Sequence, residues 1–408
     1  MKRIAIVADD IAMPGEKGLG RLHYLAEYFS ANGFETEILT ADFQHWEKRY
    51  RTEEEKNTAI RGSRCKITFL HEKPYTKNIE PKRILSYRML TKNVYAYLQT
   101  RQYDCIYALI PDNYLAYTAG KYAAEKKIPF VVDVEDLWPE AMRMVLDVPV
   151  LSDVLFSYFS IYAKKTYALA DGIVGSSDEY RDEPLKYGKN IADRVTVYVG
   201  NDLAAFDAGA AENAAAVNKP EGEFWITYAG TLGTSYDIHT LIKAAGILKQ
   251  RRLSNIKIML LGDGPMRKDF EETARGTDAD VVFKGYLPYP VMCAYLKQSD
   301  LTVNSLVSKA SQSIVSKIGD YLAAGVPMVN TGLNAEFKAK VTADGFGVNV
   351  PPEDPAALAD ALAALYNDSE IRRAMGKTAR HIAETQFDRN TTYREIVALV
   401  ERHLKDKE

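Results

Sequence analysis

A hydroxyl, an amine and a carboxylate stand close together at Ser316, Lys317 and Asp320, in a run that opens polar and ends on Gly325-Val326-Pro327. That spacing suits an anionic ligand carrying a diol. A helix from about Ser316 to Ala324 would point free N–H groups and the positive end of its dipole at whatever precedes it, which favours phosphate. Ser316 is expected to cap that helix and Lys317 to set a point charge against a diphosphate. Asp320, a turn further on, would accept two hydrogen bonds from a ribose. The same letters also describe a capped surface helix with its lysine and aspartate in water, so the choice rests on the rest of the chain.

Further chemistry-bearing residues fall where strands should end. The buried run Phe130–Val134 continues into Glu135, Asp136 and a Trp138-Pro139 turn, and ligands gather at the carboxyl ends of strands in open α/β sheets. An acidic cluster there also suits a helix N-terminus. Gly18 and Gly20 follow the first strand, Gly230 and Thr231 follow Trp225–Ala229, and Gly262 follows Lys257–Leu261. Glycines at such turns let backbone N–H groups approach a diphosphate, and they also simply permit the turn. After Val281–Phe283, another Gly-containing turn leads to Tyr286 and Leu287. The first glycine loop is not G-x-G-x-x-G, which disfavours a nicotinamide site.

No metal centre is expected. The six histidines show no ligand spacing, the three cysteines form no C-x-x-C pair, and Asp278-Ala279-Asp280 precedes a strand instead of following one. Cysteines this sparse fit a reducing compartment.

The elements that must hold these residues follow a simple grammar. Apolar runs at Ile4–Ala8, Glu35–Thr40, Lys66–Leu70, Cys105–Leu109, Phe130–Val134, Gly172–Gly175 and Val195–Val199 alternate with helical patterns, and the alternation restarts at Trp225. That is the pattern of doubly wound parallel sheets. Between them, Asp207–Glu223 is rich in Ala, Asn and Gly, as a linker would be. The predicted division is a first domain over 1–205, a linker over 206–223, a second domain over 224–385 and a closing helical segment over 386–408. With 408 residues and a net charge of −3, the chain offers nucleic acid no global attraction. No apolar run spans a bilayer and Met1-Lys2-Arg3 does not open a signal peptide, so a cytoplasmic protein is expected. The basic, Tyr-rich stretch Lys77–Arg101 has two helical faces; it suits an anionic membrane surface on the inner face, or an ordinary solvated helix.

The run SKIGDYLAAGVPMVNTG resembles the carboxyl-domain signature of retaining GT-B glycosyltransferases of family four. Asp136-Leu137-Trp138-Pro139-Glu140 is similar to a loop of the bacterial cell-surface polysaccharide branch, the enzymes of capsule and O-antigen, with Glu135 where an Arg is usual. Val199-Gly200-Asn201-Asp202 is similar to the turn that closes the family's first domain. The resemblance implies two Rossmann-like domains facing across a cleft, with the last helix returning to the first domain. It also implies a nucleotide-sugar donor, a uridine diphosphate sugar foremost, whose base would stack on Tyr286 and be read by backbone groups near Tyr286 and Leu287, and a glycan acceptor carried on a lipid diphosphate, with no cofactor and no metal. In the family's E-x7-E pattern, Asp320 takes the ribose position and Gln312 the position near the donor sugar, keeping a hydrogen-bonding group and losing a charge. The Arg and Lys that many members place after the Gly230 turn are absent here, where Thr231, Thr234 and Ser235 stand. More of the diphosphate's charge then falls to Lys317, with Ser316 and the Gly18 loop beside it, while Glu135 or Asp136 orients acceptor or sugar. A nucleotide-sugar epimerase of the same fold and a non-catalytic partner subunit are the alternatives.

Overall fold

The computed structural model describes residues 1–16, 18, 20–77, 80–137, 151–310 and 314–405, without the side chains of 151–156. The chain divides into two compact units, Met1–Val197 with Tyr393–Glu408, and Tyr198–Thr392.

The first unit holds strands β1 (Arg3–Val7), β2 (Glu35–Ala41), β3 (Lys66–Leu70), β4 (Cys105–Ile110), β5 (Phe130–Val134), β6 (Gly172–Gly175) and β7 (Asp193–Thr196). They lie in the order β3-β2-β1-β4-β5-β6-β7, every pair parallel. Alternation of side chains sends Ile4 and Ile6 to one face and Ala5 and Val7 to the other. On the first face lie Leu22, Leu25 and Phe29 of helix α1 (Arg21–Ala31), and on the second Leu90, Val94 and Leu98 of α2 (Pro81–Gln99) with residues of α3 (Asn113–Lys126). A helix over Leu151–Leu169 contributes Ala163 and Tyr167 to the second face.

The second unit begins with helix α4 (Leu203–Glu212) and repeats the plan with β8 (Phe224–Ala229), β9 (Ile256–Leu261), β10 (Val281–Gly285), β11 (Leu301–Asn304), β12 (Met328–Asn330) and β13 (Gly347–Asn349). Their order is β10-β9-β8-β11-β12-β13, again all parallel. Helices α5 (Tyr289–Gln298) and α6 (Lys317–Ala324) cover the face of Trp225 and Ala229, where Ile318, Tyr321 and Leu322 are buried. In each sheet the order reverses beside the first strand, between β1 and β4 and between β8 and β11, the place where ligands bind in open sheets.

The stretch expected as a linker, 206–223, departs from that expectation. Much of it is helix α4, whose Leu203, Phe206, Gly209 and Ala210 are buried. Gly209 packs so tightly that an added Cβ would come 2.8 Å from the Pro290 backbone. Alanine and glycine there signal close helix packing and not chain flexibility, and composition alone does not separate the two. At the other end, α7 (Arg394–Lys405) buries Ile396, Leu399 and Val400 in the first unit's core.

Three glycine turns interlock above β8, β9 and β10. Gly230 donates to the Leu261 carbonyl and Gly262 to the Gly285 carbonyl, and a Cβ on Gly262, at φ +142°, would meet the Gly230 oxygen at 1.9 Å. At Gly345, φ +71°, a Cβ meets nothing. Alanine at Gly345 is therefore expected to cost about 1 kcal/mol, the left-handed backbone alone, and alanine at Gly262 upwards of about 3 kcal/mol from the added overlap. Urea denaturation of the two variants checks the difference.

Candidate functional site

Lys317 leaves the end of α6 and reaches the turn after β8. Its Nζ donates to the Tyr228 hydroxyl at 2.9 Å and lies 4.1 Å from the Tyr228 ring centroid and 3.8 Å from that of Tyr236. The Tyr228 hydroxyl in turn donates to the Thr231 carbonyl at 2.8 Å. A Cβ at Gly230 would stand 2.7 Å from the amine, so the glycine is what makes room. Burial pulls the Lys317 amine well below its ordinary pKa, and no carboxylate among the described residues pulls it back; the two ring faces act in the opposite sense, favouring the charged form.

Asp320, one turn along α6, accepts on Oδ1 from the Tyr289 hydroxyl at 2.8 Å and from Asn201 Nδ2 at 3.2 Å, and burial raises its pKa. Gly319 sits so near this corner that a Cβ would lie 3.1 Å from the Gly200 backbone. Gly230, Thr231, Gly262, Ser316, Lys317 and Asp320 all belong to the second unit, and Lys317 meets the Gly230-Thr231 turn directly. Tyr286 stands exposed beyond β10 with Leu287 half-buried beside it. Gln312 lies outside the described residues.

One expectation is corrected here. The Ser316 side chain makes no capping bond, and the N–H groups of Ile318 and Gly319 already bond to the carbonyls of Val315 and Ser316. The first turn closes on itself because Ser316 adopts helical angles, φ −56° and ψ −34°, not the extended ones a capping side chain needs. Attraction for an anion therefore rests more on the Lys317 amine than on open N–H groups.

In the first unit, Glu135 follows β5 and pairs with Arg21, the first residue of α1, at 2.5 Å. Arg21 Nη1 also donates to Asp133 Oδ1 at 3.0 Å, and Tyr107 donates its hydroxyl to Asp133 Oδ2 at 2.6 Å. Burial pushes the Asp133 carboxyl up while Arg21 holds it down, and the two carboxylates raise Arg21 well above its ordinary value. Asp136 accepts on Oδ1 from the Leu137 N–H. Gly18, at φ +124°, lies against Ala12 and Trp46, whereas Gly20 has an ordinary φ and open space around it, so only Gly18 needs to be glycine.

Sequence reasoning gave no site role to Arg21, Asp133, Tyr228, Tyr236, Asn201 or Tyr289. Asp133 carried a signal, a lone acid inside an apolar strand, where burial demands a partner. The tyrosines carried none. Nor did sequence spacing reveal His23, Glu27 and Cys65, whose side-chain donor atoms lie within 4.8 Å of one another. Those groups are already satisfied: His23 bonds to Ser63, and Glu27 accepts from the backbone of Arg64 and Cys65. They read as a clamp between α1 and the start of β3.

The family described as Glycosyl transferases group 1 matches residues 210–382. That match covers most of the second unit and less than half of the chain. Among curated relatives, the D-inositol 3-phosphate glycosyltransferase of Arthrobacter sp. (strain FB24) is 29% identical over 187 residues, 44% of this chain and 43% of its own. The alpha-D-kanosaminyltransferase of Streptomyces kanamyceticus is 26% identical over 165 residues, 40% of this chain and 41% of its own. The chain spans about half the length of the curated relatives it matches. Among solved structures, sucrose-phosphate synthase from Thermosynechococcus elongatus superposes with a TM-score of 0.73 at 17% identity, covering 100% of both chains. HepE from Anabaena in complex with UDP gives 0.71 at 13% identity, covering 98% of this chain and 100% of its own. These likenesses place the fold in the GT-B class, with two Rossmann-like domains.

Four more carboxyls, buried at Glu72 and Asp112 and half-buried at Asp9 and Asp10, gather at the carboxyl ends of β1, β3 and β4. Burial raises Asp9 and Asp112 to about 6, Asp10 to about 7 and Glu72 to about 8, with Arg83 pulling Asp9 and Asp112 back. A carboxyl raised above its unfolded value keeps a proton in the folded state that the unfolded chain has lost, so stability falls as pH rises through the folded value. His45, lowered to about 3 by burial, acts in the opposite sense below about 6.5. Between pH 6.5 and 8 the fall should therefore dominate, and Glu72→Gln should remove about 2 kcal/mol of it. Denaturation of wild type and variant at the two pH values reads the difference.

Proposed function

We propose that the chain transfers a sugar from a nucleotide-sugar, in the first place a uridine diphosphate sugar, to a glycan acceptor, with retained anomeric configuration. The observation that carries the reading is Lys317: an amine held beside the Gly230 turn with no carboxylate partner among the described residues. Such an amine suits a diphosphate whose charge grows as the bond to the sugar breaks. Asp320, oriented by Tyr289 and Asn201, takes the ribose diol, Tyr286 with Leu287 meets the base, and the donor-sugar contact is assigned to Gln312 from the sequence pattern alone. Glu135, already paired with Arg21, serves better as a fixed acceptor contact than as a base, and Asp136 orients acceptor or sugar. Retention follows if the departing diphosphate receives the acceptor's proton on the face it leaves, since a nucleophilic carboxylate is not required. HepE was solved with UDP and with UDP-glucose, which supports the choice of nucleotide.

The acceptor is a glycan on a lipid diphosphate, of the kind surface polysaccharide synthesis uses, met at the inner membrane face. No helix among the described residues is long and apolar enough to cross a membrane. On α2 the outward row is Lys82, Leu85, Arg88 and Lys92; Arg83 is turned inward over the rings of Tyr75 and Tyr87, so it does not belong to a lipid-facing surface.

A thermal-shift screen of nucleotide sugars, followed by product analysis with and without acceptor, tests the reading; conversion of the donor alone would mean an epimerase. Lys317→Ala should lose at least about 100-fold in turnover, the scale of a charge-assisted contact in a closed site, while Asp320→Ala should weaken free UDP. A folded Lys317→Ala with full turnover would remove the assignment. On anionic vesicles, glutamine at Lys82, Arg88 and Lys92 should each cost about 1 kcal/mol of binding, as should added salt in aggregate. Co-sedimentation indifferent to both returns α2 to an ordinary solvated face.

A further inference from the structure

The seat of Lys317 is unusual in its materials. A lysine buried in a sheet corner is ordinarily met by a carboxylate, which holds it firmly and also neutralises it. Here the amine meets a phenol oxygen at 2.9 Å and two ring faces at 4.1 and 3.8 Å. The rings are themselves fixed. Tyr228 is fully buried in β8, its hydroxyl donates to the Thr231 carbonyl, and Tyr236 stands edge-on to it at 5.7 Å between centroids. Burial acts on the amine without a compensating charge.

We propose that Tyr228 and Tyr236 are positioning residues for the phosphate contact: they fix the Lys317 amine in place without neutralising it and so present its charge undivided to the donor's diphosphate. The inference rests on the nucleotide-sugar reading and adds to it the two residues that make a single lysine sufficient. The physical case is one of relative strength. A ring face attracts an ammonium strongly enough to fix its position, yet more weakly than a charged hydrogen bond, so an arriving diphosphate draws the amine without first breaking an ion pair. It also accounts for the turn after β8 presenting Thr231, Thr234 and Ser235 and no second cation.

The test compares binding of UDP and of uridine to the full-length protein by calorimetry. Uridine shares the base and ribose contacts and lacks the diphosphate. Tyr236→Leu should weaken UDP about 10-fold, the range of a desolvated cation–π contact, and leave uridine within about 2-fold. Tyr236→Phe, which keeps the ring, should bind both as the wild type does. A Tyr236→Leu protein that loses UDP and uridine alike, or neither, overturns the inference while leaving the donor reading intact, and so does Tyr236→Phe behaving as Tyr236→Leu. Failure of the wild-type protein to bind UDP overturns the donor reading and the inference together.

Discussion

Taking an ammonium out of water costs several kcal/mol unless something replaces its hydration, and at Lys317 the replacement is a hydroxyl and two aromatic faces. Much of the second unit's geometry follows from making that seat. Gly230 holds φ +144°, which a side chain would strain, and a Cβ there would crowd the amine; Gly262 must lack a side chain because the Gly230 carbonyl presses against it, and Gly264 is pressed by the Leu232 carbonyl in the same way. Helix α6 reaches the corner because Ile318, Tyr321 and Leu322 anchor it on the sheet, and Tyr321 donates its hydroxyl to the Ala229 carbonyl at 3.2 Å.

The first unit meets the same problem with opposite means. Arg21 is 1% exposed and held by two carboxylates, Asp133 and Glu135. Removing either side of such a set would leave a buried charge unpaired, at about 3–5 kcal/mol. The pairing ties the start of α1 to the end of β5. A buried ion pair makes a rigid support; an ammonium held by rings is met by no carboxylate among the described residues. A buried cation and a half-buried one are thus held by different means because their neighbours differ.

The same contrast shows what charge on a helix can and cannot say. In α2, Lys82, Arg88 and Lys92 face outward while Arg83 covers Tyr75 and Tyr87. One residue's displacement around a helix, about 100°, is enough to move a cation from solvent to the edge of the core.

The sequence by itself determined the two parallel sheets, since short apolar runs separated by amphipathic stretches have few other ways to bury themselves. It also determined the candidate residues at strand ends, because glycine turns and a helix-leading lysine are local patterns. The boundaries and partners were decided by tertiary structure. The stretch 206–223 reads as linker until the small residues of α4 are seen to admit another helix's backbone. Ser316 reads as a cap until its backbone angles prove helical. Arg21 with Glu135, separated by more than a hundred residues, and Lys317 with Tyr228 and Tyr236, meet only once the strands between them have been ordered. Spacing along a chain reports what one helix or strand places together; which side chains share a corner depends on strand order and on which face each helix buries, and neither is a local property.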